Sequence, residues 1–342
     1  THDDITKTVL CEYFDTELVQ DDKLLKNLMQ RFEKRGFEFS PSNISQAQYP
    51  ANAEILDNPI GTAQGMHFVH QGKHLFVMPG VPREMRIITR EGILPILAGM
   101  TQATVEKIDI HSIGMPESTL YELTKPIYDQ YEGAKVAYLP QQGMVSMRVS
   151  FNSSNTAVNE SRLDEIYTKV QELLPKHIYG RDASNLPSIV GELLLNLKAT
   201  VATAESCTGG LIASLLTDIS GSSAYFNTGF VTYANETKMS MLQVSEDTLK
   251  THGAVSEETV SEMLTGTLAN SGADYAVAVS GVAGPTGGTE DKPVGTVYIG
   301  VGGKQDQTIR RFQFGKERLM NKKMSAFAAL NLLRLFIEGK LS

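Results

Sequence analysis

The chain has 342 residues, of which 39 are acidic and 31 basic, and it carries a formal net charge of −8. This length is enough for two or three domains, and the acidic balance argues against a broad nucleic-acid-binding surface. With only two cysteines, far apart in sequence, no apolar run of transmembrane length and no visible signal peptide, we expect a cytoplasmic protein without a disulfide framework.

The first hundred residues have the pattern of an α/β domain. Helical spacing covers residues 3–11 and 24–35, and a buried strand is predicted at 74–78. The turn PGVP at 79–82 follows this strand, and a helix begins near Arg83. A strand that ends in such a turn before a helix is where α/β folds bind ligands.

A small α+β unit is predicted next. It combines strands at 105–110, 136–139 and 144–151 with helices at 117–131 and 163–174. The polar stretch at 179–185 is the best candidate for a linker.

The last segment alternates helices and strands, as an α/β sheet domain does. Strands are predicted at 200–203, 230–233, 275–280 and 294–301, and helices at 189–197 and 319–336.

The most informative run is AESCTGG at 204–210, which lies between a predicted strand and a predicted helix. A serine at such a turn can present its hydroxyl beside the unpaired N–H groups of a helix start, which favour anionic oxygen. Nucleophilic serines and phosphate sites are both built this way. The alternative is a tight turn in which Ser206 or Thr208 only caps the helix.

Two further features follow strand ends in the same segment. Tyr233 and Lys238 lie where the strand at 230–233 runs into a helix, near the edge where Ser206 is expected. The loop SGVAGPTGG at 280–288 follows the next strand, and its glycines permit a close backbone approach to a ligand. Each of these has a purely structural alternative. Lys238 could be a solvated helix lysine, Tyr233 a half-buried strand tyrosine, and the glycine loop a flexible hairpin connection.

A serine nucleophile needs a base. The segment offers only His252 as a histidine, in a loop before a helix, so a Ser–His–Asp triad is not expected. A lysine whose pKa is lowered by burial can serve instead, and Lys238 is the candidate. Cys207 is interpreted as a small buried thiol.

Six motifs in this segment resemble the CinA C-terminal domain. They are AESCTGG, GSSAYF, VTYANETK, HGAVSEET, SGVAGPTGG and KPVGTVYI, in this order between residues 204 and 299. The resemblance implies a three-layer α/β domain that forms homodimers and hydrolyses nicotinamide mononucleotide to nicotinate mononucleotide and ammonia. It implies that Ser206 attacks the carboxamide carbon and that Lys238 and Tyr233 manage the proton.

The groups that would hold this substrate lie around the same turns. N–H groups at Thr208, Gly209 and Gly210 would face the tetrahedral oxyanion. The phosphate would be held by the glycine loop, or by a helix N-terminus, together with a cation. The loop residues are Ser280, Gly281, Gly284 and Gly287, and the cation is Arg318, with Arg310 and Arg311 as competitors. No cofactor is required.

The front of the chain resembles the molybdopterin-binding-like half of CinA proteins. The motifs are NPIGTA at 58–63 and MPGVPREM at 78–85. The resemblance implies metal-dependent ADP-ribose pyrophosphatase activity, with Asp3, Asp4 and Glu84 as ligands of a divalent cation. Alternatively, the two aspartates only favour the first turn of a helix.

The sequence departs from the family pattern at its start. The family's opening strand and its Gly-Thr-Glu-Leu and Thr-Gly-Gly turns have no counterpart before Thr1. We therefore expect this domain to be incomplete at its N-terminus.

The expected organisation is a multidomain α/β protein. Residues 1–104 form the molybdopterin-binding-like domain, 105–180 a KH-like α+β connector and 186–342 the deamidase domain. The connector lacks a G-x-x-G loop in a basic setting, so no direct nucleic-acid binding is expected. Besides the two hydrolase activities, the family suggests a non-catalytic partner protein that binds the RecA recombinase.

Overall fold

The computed structural model describes residues 5–34, 36–100, 104–141, 143–153 and 156–341. The chain forms two compact units that divide after Thr104. Each unit is described by itself.

The first unit combines short strands with helices. Its helices are α1 (Thr6–Phe14), α2 (Asp22–Lys34), α3 (Pro82–Ile88) and α4 (Leu94–Ala98), with a 3₁₀ helix at Pro41–Ala47 and a π-helical segment at Thr89–Ile93. Its strands are β1 (Leu18–Gln20), β2 (Gln48–Pro50), β3 (Glu54–Leu56), β4 (Gly65–His70) and β5 (Lys73–Val77). An antiparallel pair joins β1 to β2, and β3, β4 and β5 form an antiparallel meander.

Two expectations for this unit are confirmed. The strand predicted at 74–78 is β5, and Pro82 lies in the first turn of α3. Strands β1, β2 and β3 were not predicted, because three residues are too few to show an alternating pattern.

The second unit opens with an α+β part. Its strands are β6 (Thr104–Ile113), β7 (Lys135–Gln141), β8 (Met144–Ser153) and β9 (Ile178–Arg181), and its helices are α5 (Glu117–Tyr128) and α6 (Thr156–Leu173). The sheet order is β7-β8-β6-β9. The prediction of a linker at 179–185 is partly wrong, because its first three residues belong to β9 and pair with β6.

The remaining part is built around a five-stranded sheet. Its strands are β10 (Val201–Glu205), β11 (Phe226–Val231), β12 (Tyr275–Gly281), β13 (Thr296–Gly303) and β14 (Gln307–Gln313). Its helices are α7 (Leu186–Leu197), α8 (Leu211–Thr217), α9 (Asn235–Leu242), α10 (Glu246–Thr251), α11 (Glu257–Ser271) and α12 (Arg318–Ile337). The sheet order is β11-β10-β12-β13-β14, with the first three strands parallel and the last two antiparallel to their neighbours.

Helices cover both faces of this sheet. Val277 and Val279 of β12 pack on one face with α7, α8 and α12, whereas Ala276 and Ala278 pack on the other with α9 and α11. The alternation of side chains along a strand divides β12 between these two cores. The three-layer α/β architecture expected from the sequence is therefore confirmed.

Candidate functional site

Three parallel strands end together at one edge of the five-stranded sheet. Glu205 at the end of β10 is in register with Val231 of β11 and Val279 of β12. The chain continues from β10 to β11 on one side and later to β12 on the other, so the carboxyl end of β10 is a topological switch point. Ligands of open α/β sheets bind at such points, and Ser206 follows β10 directly.

The Glu205 carboxylate organises the turn that carries Ser206. It is fully buried and accepts hydrogen bonds from the N–H groups of Gly210 (3.0 Å), Ile212 (3.1 Å) and Ala213 (2.8 Å). A helix leaves its first N–H groups without a partner inside the helix. The glutamate therefore satisfies the start of α8 from the preceding strand.

This arrangement overturns the helix-cap alternative for the serine turn. The N-cap of α8 is Gly210, with φ +91° and no side-chain cap bond, so neither Ser206 nor Thr208 caps the helix. It also fills the anion site at this helix start, because a carboxylate already occupies the N–H groups that a phosphate would use.

The turn leaves a different pair of N–H groups available. Gly209 donates its N–H to the carbonyl oxygen of Ser206 at 3.1 Å, and that of Gly210 is taken by Glu205. Among the described residues, the N–H groups of Cys207 and Thr208 have no oxygen acceptor. Of the three N–H groups expected as oxyanion donors, only that of Thr208 therefore lacks an oxygen acceptor. The N–H group of Cys207, which was not predicted as a donor, is also available.

Lys238 reaches Ser206 from α9. Its side chain is 1% exposed, and its Nζ lies 3.2 Å from the Ser206 Oγ, 2.8 Å from the Thr232 carbonyl oxygen and 3.4 Å from that of Tyr233. A neutral amine has two N–H bonds and one lone pair. The two carbonyl oxygens can take both hydrogens, which leaves the lone pair for the serine hydroxyl.

The electrostatic setting favours this neutral form. Burial lowers the pKa of Lys238, because desolvation penalises the ammonium, and this outweighs the opposite effect of nearby Cys207 and Glu236. The structure thus brings together the expected nucleophile and the expected base, and the burial that a general-base lysine needs is present.

Tyr233 contacts two residues of the site, one through its carbonyl oxygen and the other through its hydroxyl. Its carbonyl oxygen faces Lys238, whereas its hydroxyl accepts a hydrogen bond from Arg318 Nη2 at 2.7 Å, and its side chain is 58% exposed. No direct hydrogen bond joins that hydroxyl to Ser206 or Lys238 within the described part of the chain. The tyrosine hydroxyl therefore lies at the mouth of the site rather than beside the Ser206 and Lys238 side chains.

Arg318 connects α12 to the glycine loop. Besides Tyr233, it donates through Nη1 to the carbonyl oxygen of Gly284 at 2.8 Å. The two competing arginines are directed elsewhere: Arg310 donates to the Leu341 carbonyl oxygen and Arg311 to that of Asp291. Of the three arginines considered from the sequence, Arg318 is the one that contacts Tyr233.

The glycine loop has a packing role. A Cβ on Gly281 would lie 2.6 Å from Val297 Cγ2, and one on Gly284 would overlap Val294. Gly287 is different, since it has φ +88° and its nearest neighbour would be Val282 at 3.8 Å. Ser280 is 1% exposed and donates its hydroxyl to the Ala254 carbonyl oxygen at 2.6 Å, so that hydroxyl is not presented to a ligand.

His252 and Cys207 do not compete for the chemistry. His252 Nδ1 lies 3.2 Å from a Glu258 carboxylate oxygen at the start of α11 and makes no contact with Ser206 in the described structure. Burial raises the pKa of the Cys207 thiol to about 12. The interpretation of Cys207 as a small buried thiol is confirmed, because a thiol of this kind is not a nucleophile at neutral pH.

Of the three candidate metal ligands of the first unit, Glu84 alone lies among the described residues. Asp3 and Asp4 lie outside the described residues. Glu84 accepts a hydrogen bond from the Asn58 side-chain amide at 2.7 Å. Among the described residues, no three His, Cys, Asp or Glu side chains are grouped to hold a metal ion.

Two residues of the site have no role in the sequence-based prediction. Glu205 lies inside the AESCTGG run, where its position before the serine was the only signal. Lys322 follows Arg318 by one helical turn, and a Cβ built on Gly209 would lie 3.4 Å from its Nζ. Sequence spacing places Lys322 on the Arg318 face of α12, but only the fold brings that face to the serine turn.

Comparison with known proteins agrees with this architecture. Family models match residues 1–99 (probable molybdopterin binding domain), 109–180 (damage-inducible protein CinA KH domain) and 183–337 (CinA C-terminal domain). A CinA-like protein of Chloroherpeton thalassium is 39% identical over 99% of this chain and 83% of its own length. Another, from Cytophaga hutchinsonii, is 39% identical over 98% of this chain and 80% of its own length.

Solved structures related to this chain each cover only part of it. The competence/damage inducible protein CihA from Agrobacterium tumefaciens is 41% identical, with a TM-score of 0.44, over 45% of this chain and 93% of that one. The chain belongs to the CinA family. It has a molybdopterin-binding-like domain, a KH-like connector and a C-terminal CinA domain. Across the described ranges, no helix has the length and apolar character needed to cross a bilayer.

Proposed function

We propose that this chain is a nicotinamide-nucleotide amidohydrolase that converts nicotinamide mononucleotide and water to nicotinate mononucleotide and ammonia. The observation that carries the proposal is the buried pair of Lys238 Nζ and Ser206 Oγ, 3.2 Å apart. The substrate class comes from the resemblance to the CinA C-terminal domain, and the pair supplies the nucleophile and base that amide hydrolysis requires.

The first half of the reaction forms an acyl-enzyme. Neutral Lys238 takes the proton of Ser206 as Oγ bonds to the carboxamide carbon, and the carbonyl electron pair moves onto oxygen. The N–H groups of Cys207 and Thr208 are the available donors to that oxyanion. As the tetrahedral intermediate collapses, the C–N bond breaks and Lys238 returns its proton to the leaving nitrogen, which departs as ammonia.

The second half releases the acid. Water attacks the ester carbon and gives its proton to Lys238, and the same N–H groups stabilise the second oxyanion. The ester bond then breaks, Lys238 returns the proton to Ser206 Oγ and nicotinate mononucleotide leaves. The exposed hydroxyl of Tyr233, held by Arg318, is the candidate to orient the carboxamide at the entrance.

The direct test is ammonia release from nicotinamide mononucleotide by the purified chain. We expect turnover by the parent protein and a loss of about 10³-fold or more in kcat for Ser206→Ala. The matched control is Ser214→Ala on the exposed face of α8, which should change kcat by less than about 2-fold. No turnover by the parent, or full turnover by Ser206→Ala, would refute the proposal.

The same samples test the other activities of the family. Metal-dependent hydrolysis of ADP-ribose that survives Ser206→Ala would assign a separate activity to the first unit. Binding of RecA by a chain without turnover would support the non-catalytic alternative. No observation on the described residues favours either of these over amide hydrolysis.

A further inference from the structure

A cleft of about 410 Å³ lies between the α+β part and the five-stranded sheet part of the second unit. Its walls come from β14 and α12 on one side, and from the end of β6, the turn between β7 and β8 and the segment before β9 on the other. The lining includes neither Ser206 nor Lys238, so the cleft is separate from the candidate active site. Small-molecule sites have volumes of this order and occur preferentially at interfaces between domains.

Aromatic and aliphatic side chains form the apolar floor of the cleft. Alternate residues of an extended chain lie on one side of a sheet. Phe312 of β14 and Phe314 just beyond it follow this rule, with ring centroids 5.7 Å apart and ring planes at 11°. From α12, Met324, Phe327 and Ala328 line the cleft with helical spacing. Three phenylalanine rings provide a surface on which an aromatic ligand can stack.

Buried contacts hold the two walls of the cleft at a fixed spacing. Arg334 of α12 is 1% exposed and donates through Nη2 to the carbonyl oxygen of Lys176 at 2.7 Å. Ile113 at the end of β6 is buried in the core of the sheet part. The carbonyl oxygen of Ile113 accepts a hydrogen bond from His177 Nδ1 at 3.0 Å. The cleft is therefore preformed in this chain.

Donors predominate among the polar side chains of the lining. Asn331 accepts through Oδ1 from Arg334 Nε at 3.1 Å and Nη2 at 2.9 Å, and its NH₂ group has no acceptor within the described ranges. Arg310 donates through Nη2 to the Leu341 carbonyl oxygen, and no described carboxylate forms an ion pair with it. Lys176 adds a second cation, and the described lining contains no Asp or Glu.

We infer that this cleft binds a small organic anion with an aromatic body. The rings of the ligand pack on the phenylalanine side chains, and its anionic group accepts hydrogen bonds from Arg310 and Asn331. An organic cation would meet like charge without a carboxylate to pair with. A ligand such as a free sugar would lose hydrogen bonds to water on the apolar floor. The inference does not depend on the proposed amidohydrolase function.

The test uses two fluorescent probes that share an aromatic body and differ in charge. Anilinonaphthalenesulfonate carries an anionic group, and phenylnaphthylamine is its neutral counterpart. We expect the parent chain to bind the sulfonate at a saturable site. In Arg310→Gln the Kd of the sulfonate should rise about 10-fold, as expected for the loss of a charge-assisted hydrogen bond, and that of the neutral probe should stay within about 2-fold. The control is Arg311→Gln on the opposite face of β14, which should leave both Kd values unchanged.

Filling the cleft tests where the probes bind. Ala328→Phe adds an aromatic ring to the floor, so both probes should bind about 10-fold more weakly or worse. Lys323→Phe, at an exposed position of α12 outside the lining, should leave both Kd values unchanged. Thermal unfolding followed by circular dichroism shows whether Ala328→Phe is folded. If it is not, the comparison of Arg310→Gln with Arg311→Gln decides, because both positions are exposed.

Several outcomes would overturn the inference. These are the absence of saturable sulfonate binding by the parent chain, equal effects of Arg310→Gln and Arg311→Gln, equal losses of both probes in Arg310→Gln, and unchanged binding by folded Ala328→Phe. Light scattering adds one more measurement. A lower molar mass of Ala328→Phe than of the parent chain would mean that a second copy of the chain covers the cleft, which would also refute a small-molecule site.

Discussion

Two loops at the same edge of the sheet are rich in glycine, and they use it differently. In the Ser206 turn, Gly209 and Gly210 have φ of +62° and +91°, and an added Cβ on Gly209 would meet only the end of the Lys322 side chain. In the glycine-rich run at 280–288, which begins at the end of β12, added Cβ atoms on Gly281 and Gly284 would meet Val297 and Val294 of the protein itself. In the first turn, the space next to the glycine is bordered by a flexible lysine side chain. In the second loop, valine side chains of the protein fill the space next to the glycines.

The difference shows that glycine content alone does not identify a phosphate cradle. A glycine is required wherever a backbone has positive φ or approaches another atom closely, and the approaching atom can belong to the protein. What distinguishes the Ser206 turn is its surroundings: a buried lysine, two free N–H groups and an unpaired cation. This comparison can be tested with two kinds of variant: those expected to change kcat and those expected to change the free energy of unfolding.

The largest expected effect is on the proposed pair of Ser206 and Lys238. Replacing Lys238 by Met keeps the apolar stem and removes the amine, so we expect kcat to fall about 10³-fold or more with little change in far-ultraviolet circular dichroism. Lys250→Met, on exposed α10, is the control. Ammonia release that survived Lys238→Met would contradict the role of the lysine as base.

The pH dependence of kcat in the parent protein also tests the proposed role of Lys238 as the base. The proposed mechanism makes neutral Lys238 the active form, and burial lowers the pKa of this lysine. We therefore expect kcat to rise with pH through that lowered pKa and to level off below the ordinary value of 10.5. A rate that keeps rising up to about pH 10.5 would mean that burial does not act on this lysine as inferred.

A glycine pair tests the comparison of the loops directly. Gly284→Ala combines φ +86° with an overlap on Val294, so the free energy of unfolding should fall by about 3 kcal/mol. Gly209→Ala has φ +62° and only a flexible lysine nearby, so the loss should be about 1 kcal/mol. Urea unfolding measures both. Equal losses would show that the two loops are not different in the way described.

A smaller effect is expected at the glutamate that supports the serine turn. Glu205→Gln replaces a carboxylate that accepts three N–H bonds by an amide with one acceptor oxygen, so we expect a loss of about 2 kcal/mol in the free energy of unfolding. Glu257→Gln, in the exposed first turn of α11, should cost less than about 0.5 kcal/mol. Equal stability of the two variants would contradict the supporting role of Glu205.

Long elements with a strong apolar pattern could be predicted from the sequence. It could also be predicted that the candidate catalytic residues lie close together, because they follow strands that end at one edge of the sheet. β12 and α12 show apolar patterns, and Ser206, Tyr233 and Lys238 follow strands whose carboxyl ends share an edge. β14 was missed because QTIRRFQ has no alternation, as a mostly exposed edge strand permits.

Roles that depend on contacts between distant residues could not be predicted. Glu205 and Ser206 are adjacent in sequence, yet which of their side chains accepts the first N–H groups of α8 depends on the turn conformation. The proximity of Lys322 to Gly209 joins residues 113 positions apart, and no local pattern encodes such a contact. The packing role of Gly284 likewise depends on the position of Val294, which only the closed loop defines.

The smallest effect is expected at the cysteine beside the nucleophile. Burial raises the pKa of Cys207 to about 12, so at pH 8 its thiolate fraction is about 10⁻⁴ and iodoacetamide should leave it unmodified. Half-exposed Cys11 should react under the same conditions. Peptide mapping by mass spectrometry reads both sites, and ammonia release should persist.

Cys207→Ala should change kcat by less than about 3-fold, because the thiol packs in the core and donates nothing to the substrate. Loss of turnover that tracks alkylation of Cys207 would transfer the nucleophile from Ser206 to its neighbour.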